Sequence, residues 1–81
     1  MRQRKKTHGD FSDHARITQS LKDVMHSEEG WRRLSHVQKE SLEMNVHKIG
    51  RILAGDPNEP DHWNDISGYS KLVSDRIAKG E

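Results

Sequence analysis

Residues 35–57 read SHVQKESLEMNVHKIGRILAGDP, a segment that carries both a start signal and a stop signal of a helix. Ser35 and Gln38 have the spacing of a capping box, in which the serine side chain accepts a hydrogen bond from the backbone N–H of Gln38 and the glutamine side chain reaches back. At the other end, Gly55 can adopt the left-handed conformation that often ends a helix, and Pro57 cannot continue the helix. The segment therefore predicts a helix of about five turns.

Two further segments carry the same helical period on either side of this one. Asp10 can cap a helix that continues to about His26, and Asn58 with Pro60 can start a helix that ends before Gly80. The predicted core positions are Phe11, Ile17, Leu21, Val24, Met25, Leu42, Val46, Ile49, Leu53, Ile66, Tyr69, Leu72, Val73 and Ile77. Because a short loop joins the second and third helices, we expect these two long helices to be antiparallel. The predicted fold is all-α, with three helices.

The chain has few apolar residues for its length. Of its 81 residues, 15 are Leu, Ile, Val or Phe, whereas the net charge is only +1. Disordered chains combine low hydrophobicity with high net charge, so this composition indicates a folded domain that is short of core. Because the apolar stripes are long, we expect a second copy to supply the missing burial, in a homodimeric helical bundle.

Residues 1–9 are polar and basic and show no apolar period, so we expect a flexible basic arm followed by one helical domain over residues 10–81. Such an arm could bind nucleic acid through phosphate contacts, but with balanced charge elsewhere a solvated tail is the favoured interpretation. The chain has no Cys, which excludes disulfides and thiolate metal sites. No apolar run suits a signal peptide or a membrane span, so we expect a cytoplasmic protein without membrane partners.

Four carboxylates on the second and third predicted helices suggest a polar site between them. Glu40 and Glu43 are three residues apart, and Asp61 and Asp65 are four apart, so each pair lies on one side of its helix. Oxygen ligands at this spacing can hold a hard cation such as Mg²⁺. The alternative is that they form ordinary ion pairs, with Asp61 serving only as a helix-capping and dipole residue.

Lys48 and Arg51 are the cations that we expect opposite Asp65 across the helix interface. Such a pair could fix the register of the two helices, or the cations could neutralise phosphate charge at a site, and the sequence gives the two roles equal weight. Gly50 and Gly68 lie inside helices, where each costs roughly 1 kcal/mol relative to Ala. Close packing of helices is the favoured reason for both, and access of a ligand to the backbone is the alternative.

Several motifs together resemble a group of small uncharacterised bacterial and phage proteins. They are KKTHGDF at residues 5–11, QKESLEM at 38–44, KIGRIL at 48–53, GDP at 55–57 and DHWNDISGY at 61–69. More distantly, acids on one helix followed by acids opening the next resemble the MazG-type all-α NTP pyrophosphatases, whose pattern is an EExxE helix followed by an ExxD helix. Two positions depart from that pattern. Lys39 stands where the first acid of the EE doublet is expected, and His62 stands where the ExxD acid would precede Asp65.

The MazG-like resemblance implies a nucleotide-binding protein that acts as a magnesium-dependent nucleoside triphosphate pyrophosphohydrolase with a degenerate acidic site. The residues it implies for Mg²⁺ are Glu40, Glu43, Asp61 and Asp65, and those for the phosphates of a nucleotide are Lys48 and Arg51. The alternative function is a non-catalytic helical interaction module of bacterial or prophage origin. In that alternative, the same charges form salt bridges between helices or subunits.

Overall fold

The computed structural model of the protein describes residues 9–81, in which three α-helices and one short 3-10 helix follow one another without a strand. Helix α1 spans Phe11–Ser27, the 3-10 helix Glu29–Arg33, helix α2 His36–Ala54 and helix α3 Pro60–Ala78. The prediction of an all-α chain with three helices is confirmed. Residues 1–8, which hold most of the predicted basic arm, lie outside the described residues.

The first two helices start at the predicted caps. The Asp10 side chain accepts a hydrogen bond from the backbone N–H of Ser12. At the start of α2 the capping box is complete. The Gln38 N–H donates to Ser35 Oγ at 3.1 Å, and the Ser35 N–H donates to Gln38 Oε1 at 2.8 Å. These bonds satisfy backbone donors that have no partner inside the helix.

The loop between α2 and α3 differs from its prediction in two details. Gly55 ends α2, but with φ −121° it is not left-handed, and its N–H donates to Arg51 O at 2.8 Å. Glu59, and not Asn58, is the N-cap of α3, and no side chain caps this helix. The Asn58 N–H instead donates to Asp56 Oδ1 at 2.9 Å, so Asp56 organises the turn before α3.

Helix α2 is the centre of the fold, because it packs against both α1 and α3. A Cβ added at Gly50 would lie 2.6 Å from Thr18 Cγ2 and 2.8 Å from His14 Cδ2, so side chains of α1 pack directly against the backbone of α2 here. Close packing is therefore confirmed for Gly50. The same prediction is wrong for Gly68, where an added Cβ would meet nothing within 4 Å.

The core is smaller and more polar than predicted. In residues 9–81, Val46 is the one hydrophobic side chain that is buried, at 4 % exposure. The buried polar side chains are His14, Thr18, Ser41 and His62. The predicted core positions that are instead exposed are Phe11, Val24, Leu42, Ile49, Leu53, Leu72 and Ile77. Within the described part of the chain α1 and α3 scarcely contact each other, so no helix closes over the outer apolar stripes.

Candidate functional site

Polar contacts join α2 to α3 at three levels. Ser41 Oγ donates to Tyr69 O at 2.9 Å, and Asn45 Nδ2 donates to the hydroxyl of Ser70 at 3.3 Å. A third contact, between Lys48 and Asp65, lies further along α2. The predicted polar region between the two helices is therefore present, but much of it serves to hold the helices together.

Lys48 and Asp65 form an ion pair in which Nζ lies 2.8 Å from Oδ2. The Lys48 side chain is largely covered, whereas the Asp65 side chain is about half exposed. The hydrogen bond from Lys48 lowers the pKa of Asp65 below its usual value, although partial burial acts in the opposite direction. Asp65 therefore stays ionised, and the positive charge of Lys48 is already matched inside the protein. Lys48 as the partner of Asp65 is confirmed.

The four predicted magnesium ligands are not brought together into one cluster. Glu43 contacts His26 of α1, with its Oε2 3.1 Å from the imidazole Nε2. Glu40 instead lines a groove between α2 and α3, Asp61 is exposed in the first turn of α3, and Asp65 binds Lys48. Over residues 9–81 no group of three or more His, Asp or Glu side chains has an arrangement that could hold a metal ion.

Arg51, the second predicted phosphate ligand, is half-buried on α2. Its Nε is buried and has no hydrogen-bond partner within the described part of the chain. A buried N–H without a partner is costly, yet this atom is out of reach of solvent and hence of a phosphate at the surface. As placed, Arg51 can offer a phosphate at most the terminal nitrogens of its guanidinium.

A histidine pair that the sequence did not reveal lies between α1 and α2. His14 Nε2 donates to the backbone carbonyl of His47 at 3.1 Å, and the two rings are 5.8 Å apart. The pKa of His47 is lowered, first by burial and then by the positive charges of Lys22, His14 and Arg51, while Glu43 acts in the opposite direction. His47 is therefore held neutral to lower pH than a free histidine, as suits a packed interface.

The α2–α3 groove, a concave surface with a volume of about 450 Å³, opens between the first half of α2 and the second half of α3. Its lining residues are His36, Val37, Glu40, Ser41, Met44, Tyr69, Leu72, Val73 and Arg76. A volume of this size is within the range of ligand sites, and most of its lining is apolar. The groove combines residues from two helices, so the sequence of either helix alone shows only part of it. The one local signal is Leu72, which lies beside the main apolar stripe of α3.

Comparison with known proteins gives no matching family model, no matching curated protein and no matching solved structure. The MazG-like relationship therefore stays a prediction. Within residues 9–81, every helix is too short or too polar to cross a membrane.

Proposed function

We propose that the protein is a cytoplasmic, non-catalytic helical interaction module that forms a homodimer. In this dimer the α2 and α3 helices of each protomer run antiparallel within a helical bundle. The order of the contacts supports the antiparallel arrangement, because Ser41 and Tyr69 meet at one level while Lys48 and Asp65, later on α2 and earlier on α3, meet at another.

The observation that carries this proposal is the imbalance between buried and exposed apolar side chains. Across residues 9–81, Val46 is the one buried hydrophobic residue. The large hydrophobic side chains that remain exposed are Phe11, Val24, Val37, Leu42, Ile49, Leu53, Trp63, Leu72 and Ile77. Burial of apolar surface is worth roughly 25 cal/mol per Å², so covering these residues with a second copy supplies stability that one protomer lacks.

The charges of the predicted site also favour this function. Lys48 and Asp65 neutralise each other between α2 and α3, and Glu43 with His26 ties α2 to α1. Both pairs hold helices in place, as the interaction-module alternative predicts. Catalysis of phosphoryl chemistry would instead need cations and carboxylates that face a shared, accessible pocket.

The experiment is a measurement of mass in solution by sedimentation equilibrium over a wide range of protein concentrations. The proposal predicts the mass of two chains at high concentration and a reversible shift towards one chain on dilution. A single-chain mass at every concentration, up to the highest that can be reached, would refute the homodimer.

The second candidate function is binding of a nucleotide with magnesium, as the MazG-like resemblance implies. Its specific support is the meeting of Lys48 and Asp65 between α2 and α3, where the resemblance locates the site. To bind magnesium in this function, the Glu43 side chain would have to break its contact with His26, and the Glu40 side chain would have to turn away from the groove. Titration with magnesium and a panel of nucleoside triphosphates tests it, by calorimetry and by NMR shifts. Heat together with shifts at Glu40, Glu43, Asp61 and Asp65 would support it, and no response would exclude it.

A further inference from the structure

We propose that the α2–α3 groove is the surface through which two copies of this chain associate, with α2 of each protomer lying over α3 of its partner. This inference rests on the proposed homodimer and goes further, because it names the face, the symmetry axis and one pair of charges. The groove is the place where exposed apolar residues of two helices converge: Val37 from α2 and Leu72 from α3 are both exposed at its edge.

The charges at the groove point to a second copy as the occupant. Glu40 belongs to α2 and Arg76 to α3, so the two helices bring opposite charges to the same groove. The Arg76 guanidinium folds back along α3, with Nη1 donating to Leu72 O at 3.1 Å, which brings its charge towards the level of Glu40. A surface with one acid on one side and one base on the other is complementary to itself.

Symmetry makes this complementarity specific. A two-fold axis that runs along the groove, parallel to the helices, exchanges the two sides of the face. It therefore lays α2 of one protomer over α3 of the other and sets Glu40 against the partner's Arg76. Because the contact is isologous, the same charge pair forms twice, and the apolar edges around Leu72 enter the partner's groove.

The two whole helices set an upper bound on the size of the face. Each of the two helices has 19 residues, which at about 1.5 Å per residue makes a face about 28 Å long. With two helices of about 10 Å diameter, the face projects to on the order of 560 Å². This upper bound lies below the roughly 800 Å² of accessible surface that each partner buries in a standard interface, so the charge pair, and not the area, supports the inference. The basic segment at residues 1–8 is a poor alternative occupant, because Met1 is its one apolar residue.

Charge reversal tests the arrangement by sedimentation equilibrium of the full chain. Glu40→Arg and Arg76→Glu each set like charges against each other at two symmetry-related places, so each should raise the dimer dissociation constant about 10-fold or more. The double variant Glu40→Arg/Arg76→Glu restores opposite charges and should return to within about 3-fold of the unmodified protein. Asp23→Arg, which reverses an exposed charge on α1, is the matched control and should leave the constant unchanged.

A second experiment keeps the inference testable if a charge variant fails to fold. Because the chain has no Cys, Glu40→Cys and Arg76→Cys each introduce a single thiol. Treatment with a short bis-maleimide should link the two variants to each other in a mixture far more than it links either one to itself.

The possible results separate the two proposals. If the unmodified chain is a dimer but all the charge variants dimerise equally well and the mixed cross-link does not form, this surface is refuted while the homodimer stands. If the unmodified chain is a monomer, both proposals fail. If deletion of residues 1–8 converts a monomeric chain into a dimer, that segment occupies the groove and the present inference is overturned.

Discussion

Replacing Gly50 with Ala tests how closely α1 approaches α2. An alanine inside a helix is favoured over glycine by about 1 kcal/mol, because it costs less backbone entropy. At position 50, however, the new Cβ would lie 2.6 Å from Thr18 Cγ2 and 2.8 Å from His14 Cδ2. Both neighbours are buried side chains of α1, so they cannot swing away into solvent. Overpacking of this kind costs about 1–3 kcal/mol, which leaves Gly50→Ala neutral to about 2 kcal/mol less stable.

Gly68→Ala is the matched control, because it makes the same change inside α3. An added Cβ there meets nothing within 4 Å, so the helix preference acts alone and should stabilise the protein by about 1 kcal/mol. The difference between the two variants is therefore the overpacking cost itself, about 1–3 kcal/mol. For a domain of this size, 1 kcal/mol corresponds to roughly 4–8 °C in Tm.

The assay is thermal and urea unfolding followed by far-UV circular dichroism, with Gly50→Ala and Gly68→Ala compared with the unmodified chain. Each curve is recorded at two protein concentrations, so that any effect on self-association appears as a concentration-dependent midpoint. We expect Gly50→Ala to unfold at least about 4 °C below Gly68→Ala. If Gly50→Ala gains as much stability as Gly68→Ala, the helices are not in close contact at this point and the packing argument is wrong.

Four further substitutions address the polar contacts. Asp65→Asn and Lys48→Gln should each lower the thermal midpoint, and a double-mutant cycle should show that their effects on stability are coupled. If Asp65 instead belonged to a metal site made of acids, the Asp65→Asn protein without metal would be as stable as the unmodified chain or more stable. Because the folded protein holds the pKa of His47 below 6.5, the contribution of His47 to stability is complete above about pH 6.5 and is lost as the pH falls through the folded pKa. His47→Gln should flatten this dependence in pH-resolved urea titrations, and an unchanged slope would assign it to other groups. Ser35→Ala removes half of the capping box with Gln38 and should cost about 1 kcal/mol of unfolding free energy, so a loss below the error of urea titration would show that the box contributes nothing.

Local signals predicted the helices because the groups that start a helix are neighbours in sequence. The cap at Asp10 requires only a hydrogen bond from the backbone two residues later, and the cap at Ser35 requires only Gln38. Both caps can therefore be predicted directly from the sequence. Gly55 indicates the end of α2 for a similar reason, although the left-handed conformation expected there is absent. A helix can end without that conformation when the following turn, here organised by Asp56, redirects the chain.

The buried face of each helix could not be predicted in the same way, because it depends on where the other helices lie. Hydrophobic spacing favoured Leu42 and Leu53 as core, but α2 instead buries Ser41, Val46 and Gly50. Small residues let two backbones approach, and a close approach leaves the larger side chains at the edges of the contact. The hydrophobic period shows which residues share one face of a helix. It does not show how closely that face approaches a neighbouring helix.

The candidate site likewise has a part that the sequence predicts and a part that depends on how the helices pack. The ion pair of Lys48 with Asp65 was predictable, since a charged residue one turn inside α3 needs a partner and α2 offers a cation across the interface. The contact of His14 with the carbonyl of His47 joins residues 33 positions apart, and neither residue belongs to a recognisable motif. The groove depends on side chains from both α2 and α3, so no single segment carries its signature.

The polar core connects these observations to the proposed association. Thr18, Ser41 and His14 are buried, and each donates to a backbone carbonyl: Thr18 to Ala15, Ser41 to Tyr69 and His14 to His47. Such a bond contributes only about 1 kcal/mol net. The Thr18 bond lies within α1, whereas the bonds of Ser41 and His14 join α2 to its two neighbours, so their direction helps to fix where the helices lie. The protomer therefore has well-defined helix positions with little apolar burial. The surface of such a protomer is already ordered before association, so dimer formation loses little entropy in ordering that surface. Apolar contact with a second copy then adds the burial that the hydrogen bonds do not supply, so we expect the unfolding midpoint of this chain to rise with protein concentration.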